Sequence, residues 1–212
     1  MNELDYSDYP LYLESVGNVV SDSAEYFDVD FLLLLVSYCI AIDVVSIRKS
    51  AAWVLYLVVR EIQLSLSQVE RVRSIFYYVD DNFAQLSASP SALFFNLSEA
   101  LALISAKVNF SGLFEDARMV GFCLKFYYLP SEFQVRSVFR FLAQCDAVDL
   151  CLLAFEQPAC LQGTCAAIDA FNYLNEVEIE FDRIEGLVGR FVNTNEQVNA
   201  VINKHWAWHV EK

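Results

Sequence analysis

The chain has 212 residues, is 56% apolar and 15% aromatic, and carries a formal charge of −14. That length buries a sizeable core. The acidic balance disfavours nucleic acid and anionic membrane surfaces, both of which need a basic face, and it suits a basic or amphipathic protein ligand. Six Gly and four Pro argue for long elements with few breaks.

The first thirty residues are acidic and rich in Tyr, with no Lys or Arg before Arg48. Tyr9 to Val20 is periodic enough for a short helix. Phe31 to Ile42, FLLLLVSYCIAI, is the most apolar run. It falls short of the roughly 20 residues needed to span a bilayer, so a buried core helix is expected, capped by Asp28 or Asp30. Ala51 to Leu66 offers a helical face of Trp53, Leu57, Val58, Ile62 and Leu66, with Ser50 as its N-cap. A further helix is expected from Ser67 to Leu86, where Val69, Val72, Phe76, Val79, Phe83 and Leu86 recur at three or four. Ser87 to Ser91 breaks the pattern, and Ser91 to Ala106 resumes it.

Leu113 to Leu129, LFEDARMVGFCLKFYYL, reads as a central helix. Glu115 and Asp116 suit the positive end of the helix dipole. Beyond them Arg118 and Lys125 are the charged residues, and they lie on one stripe. The other faces are apolar, which is the pattern of an enclosed helix. Pro130 to Glu132 opens the next helix, with Phe133, Val135, Val138, Phe139 and Leu142 as core. Thr164 to Leu174 is a short helix. Asn195 to Val210 places Val198, Val201, Ile202 and Trp206 on one face. The fold class is therefore all-α, a helical bundle of about eight helices.

Signals for an enzyme are poor. There is no nucleophile elbow, phosphate loop or dinucleotide fingerprint. His205 and His209 lie four apart, as a metal-binding pair would, yet no Glu sits between them as in HExxH, and flanking tryptophans suit a packed terminus. No catalytic residue, metal or cofactor is expected. The six cysteines, Cys39, Cys123, Cys145, Cys151, Cys160 and Cys165, form no CxxC. The acidic N-terminus is unlike a secretory signal, so reduced thiols and a cytoplasmic location are expected.

Arg118 is the sharper signal. An Arg on an apolar helix needs a partner, either an internal acid or a ligand. A hydrophobic groove with Arg118 and Lys125 at its rim would suit an amphipathic helix bearing an acid.

Ala117-Arg118-Met119-Val120-Gly121-Phe122 resembles the first homology region of the Bcl family of apoptosis regulators. Val72, Phe76, Val79, Asp81 and Phe83 are similar to its third region, although Asp80 replaces the usual small residue. Ile168-Asp169-Ala170-Phe171 is similar to the core of the second region without its Trp. The family's Asn-Trp before the Arg motif is Glu115-Asp116 here. The patterns run from Val72 to Leu174 in the family's order, and this degree of divergence looks most like the virus-encoded members.

The resemblance implies a bundle around a central hairpin, Leu113–Leu129 and Phe133–Phe155, with a groove for the killer helix of a pro-apoptotic partner. Arg118 would pair with that helix's Asp. Ala117 and Gly121 would form a small-residue floor, Phe83 and Leu86 the opposite wall, and Lys125 the rim. The family's first helix is Phe31–Val45 or Ala51–Leu66. The expected organisation is an acidic, partly disordered segment over 1–27, the Bcl-like bundle over 28–182, and a helical tail over 183–212 without the family's membrane anchor. The implied function is anti-apoptotic, by sequestration of killer helices. The alternative is a helical scaffold homodimer with no peptide groove, in which Arg118 forms an internal ion pair.

Overall fold

The computed structural model describes residues 6–23, 26–86, 91–107 and 195–210, together with Arg118, Gly121, Phe122, Lys125, Cys165, Gly186 and Gly189. The chain divides into two compact units, Met1–Val108 and Asn109–Lys212. Among the described residues all regular structure is helical and no strand occurs.

In the first unit the periodic segments become α1 (Tyr9–Ser23), α2 (Val29–Ala41), α3 (Val45–Glu61), α4 (Leu66–Asp81), the single turn α5 (Phe83–Leu86) and α6 (Ser91–Lys107). The hub is α3. Helices α1, α2 and α6 all pack on it, and α4 packs on α2. From Ile47 to Val59 only Lys49, Trp53 and Tyr56 escape full burial. Each fully buried Val, Leu or Ile here contributes about 1.5–3 kcal/mol of transfer free energy.

Small residues allow this enclosure. Ser50, Ala51 and Ala52 are buried on α3, and Gly17 is buried on α1. The Trp53 indole lies directly against Gly17. A Cβ there would stand 2.8 Å from two of its ring carbons and closer still to a third. Gly17 thus sets how near α1 comes to α3. Farther along, Arg60 of α3 donates to Ser21 Oγ of α1 at 3.4 Å and to the Tyr56 hydroxyl at 3.2 Å, above whose ring it stacks. The hydrogen bonds it donates to Tyr56 and then to Glu61 raise its already high pKa.

The starts of α2 and α4 follow from their caps. Asp28 accepts from the backbone N–H groups of Asp30 and Phe31 at 3.0 and 3.2 Å. Ser65 and Gln68 form a reciprocal capping box. Helix α2 does not bury all its faces, however. Leu32, Leu33, Val36, Cys39 and Ile40 are buried, while Phe31, Leu34 and Tyr38 are 54%, 62% and 54% exposed along one stripe.

Several boundaries differ from the sequence reading. Helix α3 begins at Val45 rather than Ala51, and Ser50 is not its cap but a buried residue within it. It ends at Glu61, and residues 63–65 are not helical. The expected helix from Ser67 to Leu86 starts one residue earlier and breaks at Asn82, whose side-chain amide donates to the Tyr78 carbonyl at 2.8 Å. Within the acidic segment 1–27, α1 is a regular helix packed on α3 through Leu13, Val16, Gly17 and Val20.

In the second unit α7 (Glu196–Val210) forms where the tail helix was expected, and Val198 and Ile202 are buried. Asn195 caps it by accepting from the Gln197 N–H at 2.8 Å. Arg118, Gly121, Phe122 and Lys125 are helical, in keeping with the helix expected over Leu113–Leu129. The rest of that helix, the second arm of the hairpin and Ile168–Phe171 lie outside the described residues.

Candidate functional site

Arg118, Gly121 and Lys125 are spaced by three and four, so they share one face of their helix. All three are exposed, while Phe122 beside Gly121 is buried. The helix is therefore amphipathic at this point, with Phe122 anchoring it. A Cβ built on Gly121 meets nothing within 4 Å, so the surface above it is open. The two cations stand about 10 Å apart along the helix axis, or two turns. Arg118 offers a planar fork suited to a carboxylate, and Lys125 a mobile point charge. An acidic surface can be held at both ends across the glycine between them.

The expected wall residues lie in the other unit and are engaged differently. The Phe83 ring stands 5.1 Å from that of Phe94, tilted by 48°, and is half-buried. Leu86 is 3% exposed. Neither offers an open apolar surface. Both lie in α5, beyond the break at Asn82 that ends α4 and its buried residues Val72, Phe76 and Val79. Ala117 lies outside the described residues, as do the side chains of His205 and His209. Of the cysteines described, Cys39 is buried and Cys165 half-buried, and neither is in a disulfide. Burial pushes the Cys39 thiol above its ordinary pKa.

Two features of the first unit escaped the sequence reading. Arg48 is a second cation on an apolar helix, and it is buried, bonded to Asp43 at 2.9 Å and to the Ile40 carbonyl at 3.2 Å. A concavity also opens between α1, α3 and α6. Its trace in the sequence is Asn96, set inside the apolar run of α6.

Among the described residues no helix is long and apolar enough to cross a membrane, and no group of three or more His, Cys, Asp or Glu is placed to hold a metal. Comparison of the chain with family models, with curated proteins and with solved structures finds no match.

Proposed function

We propose that the chain is a survival-promoting, Bcl-like interaction protein of the cytoplasm. It binds the amphipathic killer helix of a pro-apoptotic partner across the face of Arg118, Gly121 and Lys125. The observation carrying this reading is the open space over Gly121 between two exposed cations. A docked helix needs close backbone approach at one point and fixed charge at its edges, and this face supplies both. Arg118 receives the ligand's Asp, Gly121 admits its backbone, and Lys125 holds a second acid two turns on. The reading rests on these residues and not on Phe83 or Leu86, whose side chains are committed to packing. It involves no cofactor and no catalytic step.

Charge reversal tests the assignment. Arg118→Glu and Lys125→Glu should each weaken binding of an acidic killer-helix peptide by about tenfold or more in a protein of unchanged helicity. Lys204→Glu reverses another exposed cation, on α7, and serves as the control for net charge. Equal losses in all three variants would reduce the effect to long-range charge and remove the site.

The scaffold reading has its own support in the exposed stripe of Phe31, Leu34 and Tyr38 on α2. Contiguous apolar surface of this kind marks interfaces. In that reading two copies associate through α2, sedimentation reports a dimer, and Leu34→Arg returns a monomer.

A further inference from the structure

We infer that the concavity between α1, α3 and α6 is a binding site for a small zwitterion, an α-amino acid with an apolar side chain. Among the described residues its lining is Glu14 and Asn18 of α1, Lys49, Ser50 and Trp53 of α3, and Asn96 of α6. Glu14, Asn18 and Lys49 are exposed and form the mouth, Trp53 is half-buried as a wall, and Ser50 and Asn96 are buried as the floor. The cavity measures about 290 Å³, near the lower end of small-molecule sites, which suits a ligand the size of an amino acid.

Its polar groups are unspent. Asn96 is 8% and Ser50 7% exposed, and neither side chain has a hydrogen-bond partner among the described residues. Buried amides and hydroxyls ordinarily have partners. They are not sealed off, either. Among the described residues the fully enclosed side-chain nitrogen or oxygen without a partner is Nε of Arg73, so Ser50 and Asn96 keep access to the cavity. Glu14 and Lys49 also form no ion pair, with each other or with another described residue.

The charges select the ligand. The described lining holds one carboxylate and one ammonium, so a simple anion or cation meets a repelling group, whereas a zwitterion meets complementary charge at both ends. Lys49 takes the ligand's carboxylate and Glu14 its ammonium. The amides of Asn18 and Asn96 and the hydroxyl of Ser50 can each donate or accept. The Trp53 indole, held against Gly17, receives the apolar side chain.

Calorimetric titration of the full chain with L-leucine, L-methionine and L-phenylalanine tests this directly. At least one should bind, and blocking either charge of that ligand, by N-acetylation or as the C-terminal amide, should weaken binding by about tenfold. Glu14→Gln should abolish the preference for a free amino group, and Lys49→Met the preference for a free carboxylate, with helicity unchanged. No heat from any of the three with folded protein, equal binding of the blocked forms, or binding indifferent to both variants would each overturn the inference.

Discussion

Arg48 Nη1 lies 2.9 Å from Asp43 Oδ1, yet the two residues sit in opposite environments: the Arg48 side chain is 8% exposed and that of Asp43 78%. Arg48 also donates from Nε to the carbonyl of Ile40 in the last turn of α2. One side chain at the start of α3 therefore satisfies an orphan carbonyl of α2 and neutralises its negative end.

The asymmetry of burial makes the two truncations unequal. Asp43→Ala leaves a buried guanidinium without its counter-charge and should cost about 3 kcal/mol or more. Arg48→Met keeps the packing volume, leaves Asp43 in the water it already meets and loses the bond to Ile40, for about 1–2 kcal/mol. Urea unfolding of both variants reads the order. If Arg48→Met is the more damaging, the pair is not what holds α2 to α3.

Gly17→Ala should destabilise the protein. A helix-interior Ala is favoured over Gly by about 1 kcal/mol. Against this, the new methyl enters the Trp53 ring, and overpacking of this kind costs about 1–3 kcal/mol. A rigid indole cannot yield as a flexible chain end would, so a net loss in thermal midpoint is expected. An unchanged or raised midpoint would show that α1 is free to move away from α3.

Gly121→Ala should act in the opposite direction. With nothing within 4 Å of the new Cβ, there is no clash to offset the helix propensity gained. Stability should rise by as much as about 1 kcal/mol. Gly121→Leu should likewise leave the fold intact while weakening a docked peptide, because it fills the space the peptide backbone needs. Chemical denaturation and peptide titration on the same samples separate the two effects.

Cys39 gives the protein a component of alkaline sensitivity. Burial raises its folded pKa above the ordinary 9.0, so the neutral thiol stabilises the native state fully below that pH. Above it the unfolded chain ionises first, and this contribution is lost as pH rises through the folded pKa. The stability gap between wild type and Cys39→Ala should therefore narrow above pH 9.0. A gap that stays constant with pH would show a Cys39 thiol that ionises equally in both states.

Much of the helical framework was legible because its signals are local. Asp28 caps α2, and apolar spacing places α1, α6 and α7. The start of α3 was not legible, because Val44 makes no side-chain cap and Ser50, which resembles one, is simply a small residue at a close packing position. Nor did apolar content reveal the centre of the first unit. Helix α2 is the more hydrophobic, yet it exposes Phe31, Leu34 and Tyr38, whereas α3 carries Arg48, Lys49 and Arg60 and is enclosed by three neighbours. Which helix lies in the middle depends on how many others reach it, and that is tertiary information. At the candidate site, the stripe of Arg118 and Lys125 was readable from spacing. The openness above Gly121 was not, since it depends on what the rest of the fold leaves uncovered.

The most direct measurement is a calorimetric titration of the folded chain with a panel of pro-apoptotic killer-helix peptides, each paired with a version whose central Asp is Ala. Binding of at least one peptide below micromolar concentration, lost with its Asp, is the result expected of a helix held at Arg118. No binding across the panel, or binding indifferent to the Asp, would contradict the Bcl-like reading and leave the α2 stripe as the protein's principal interaction surface.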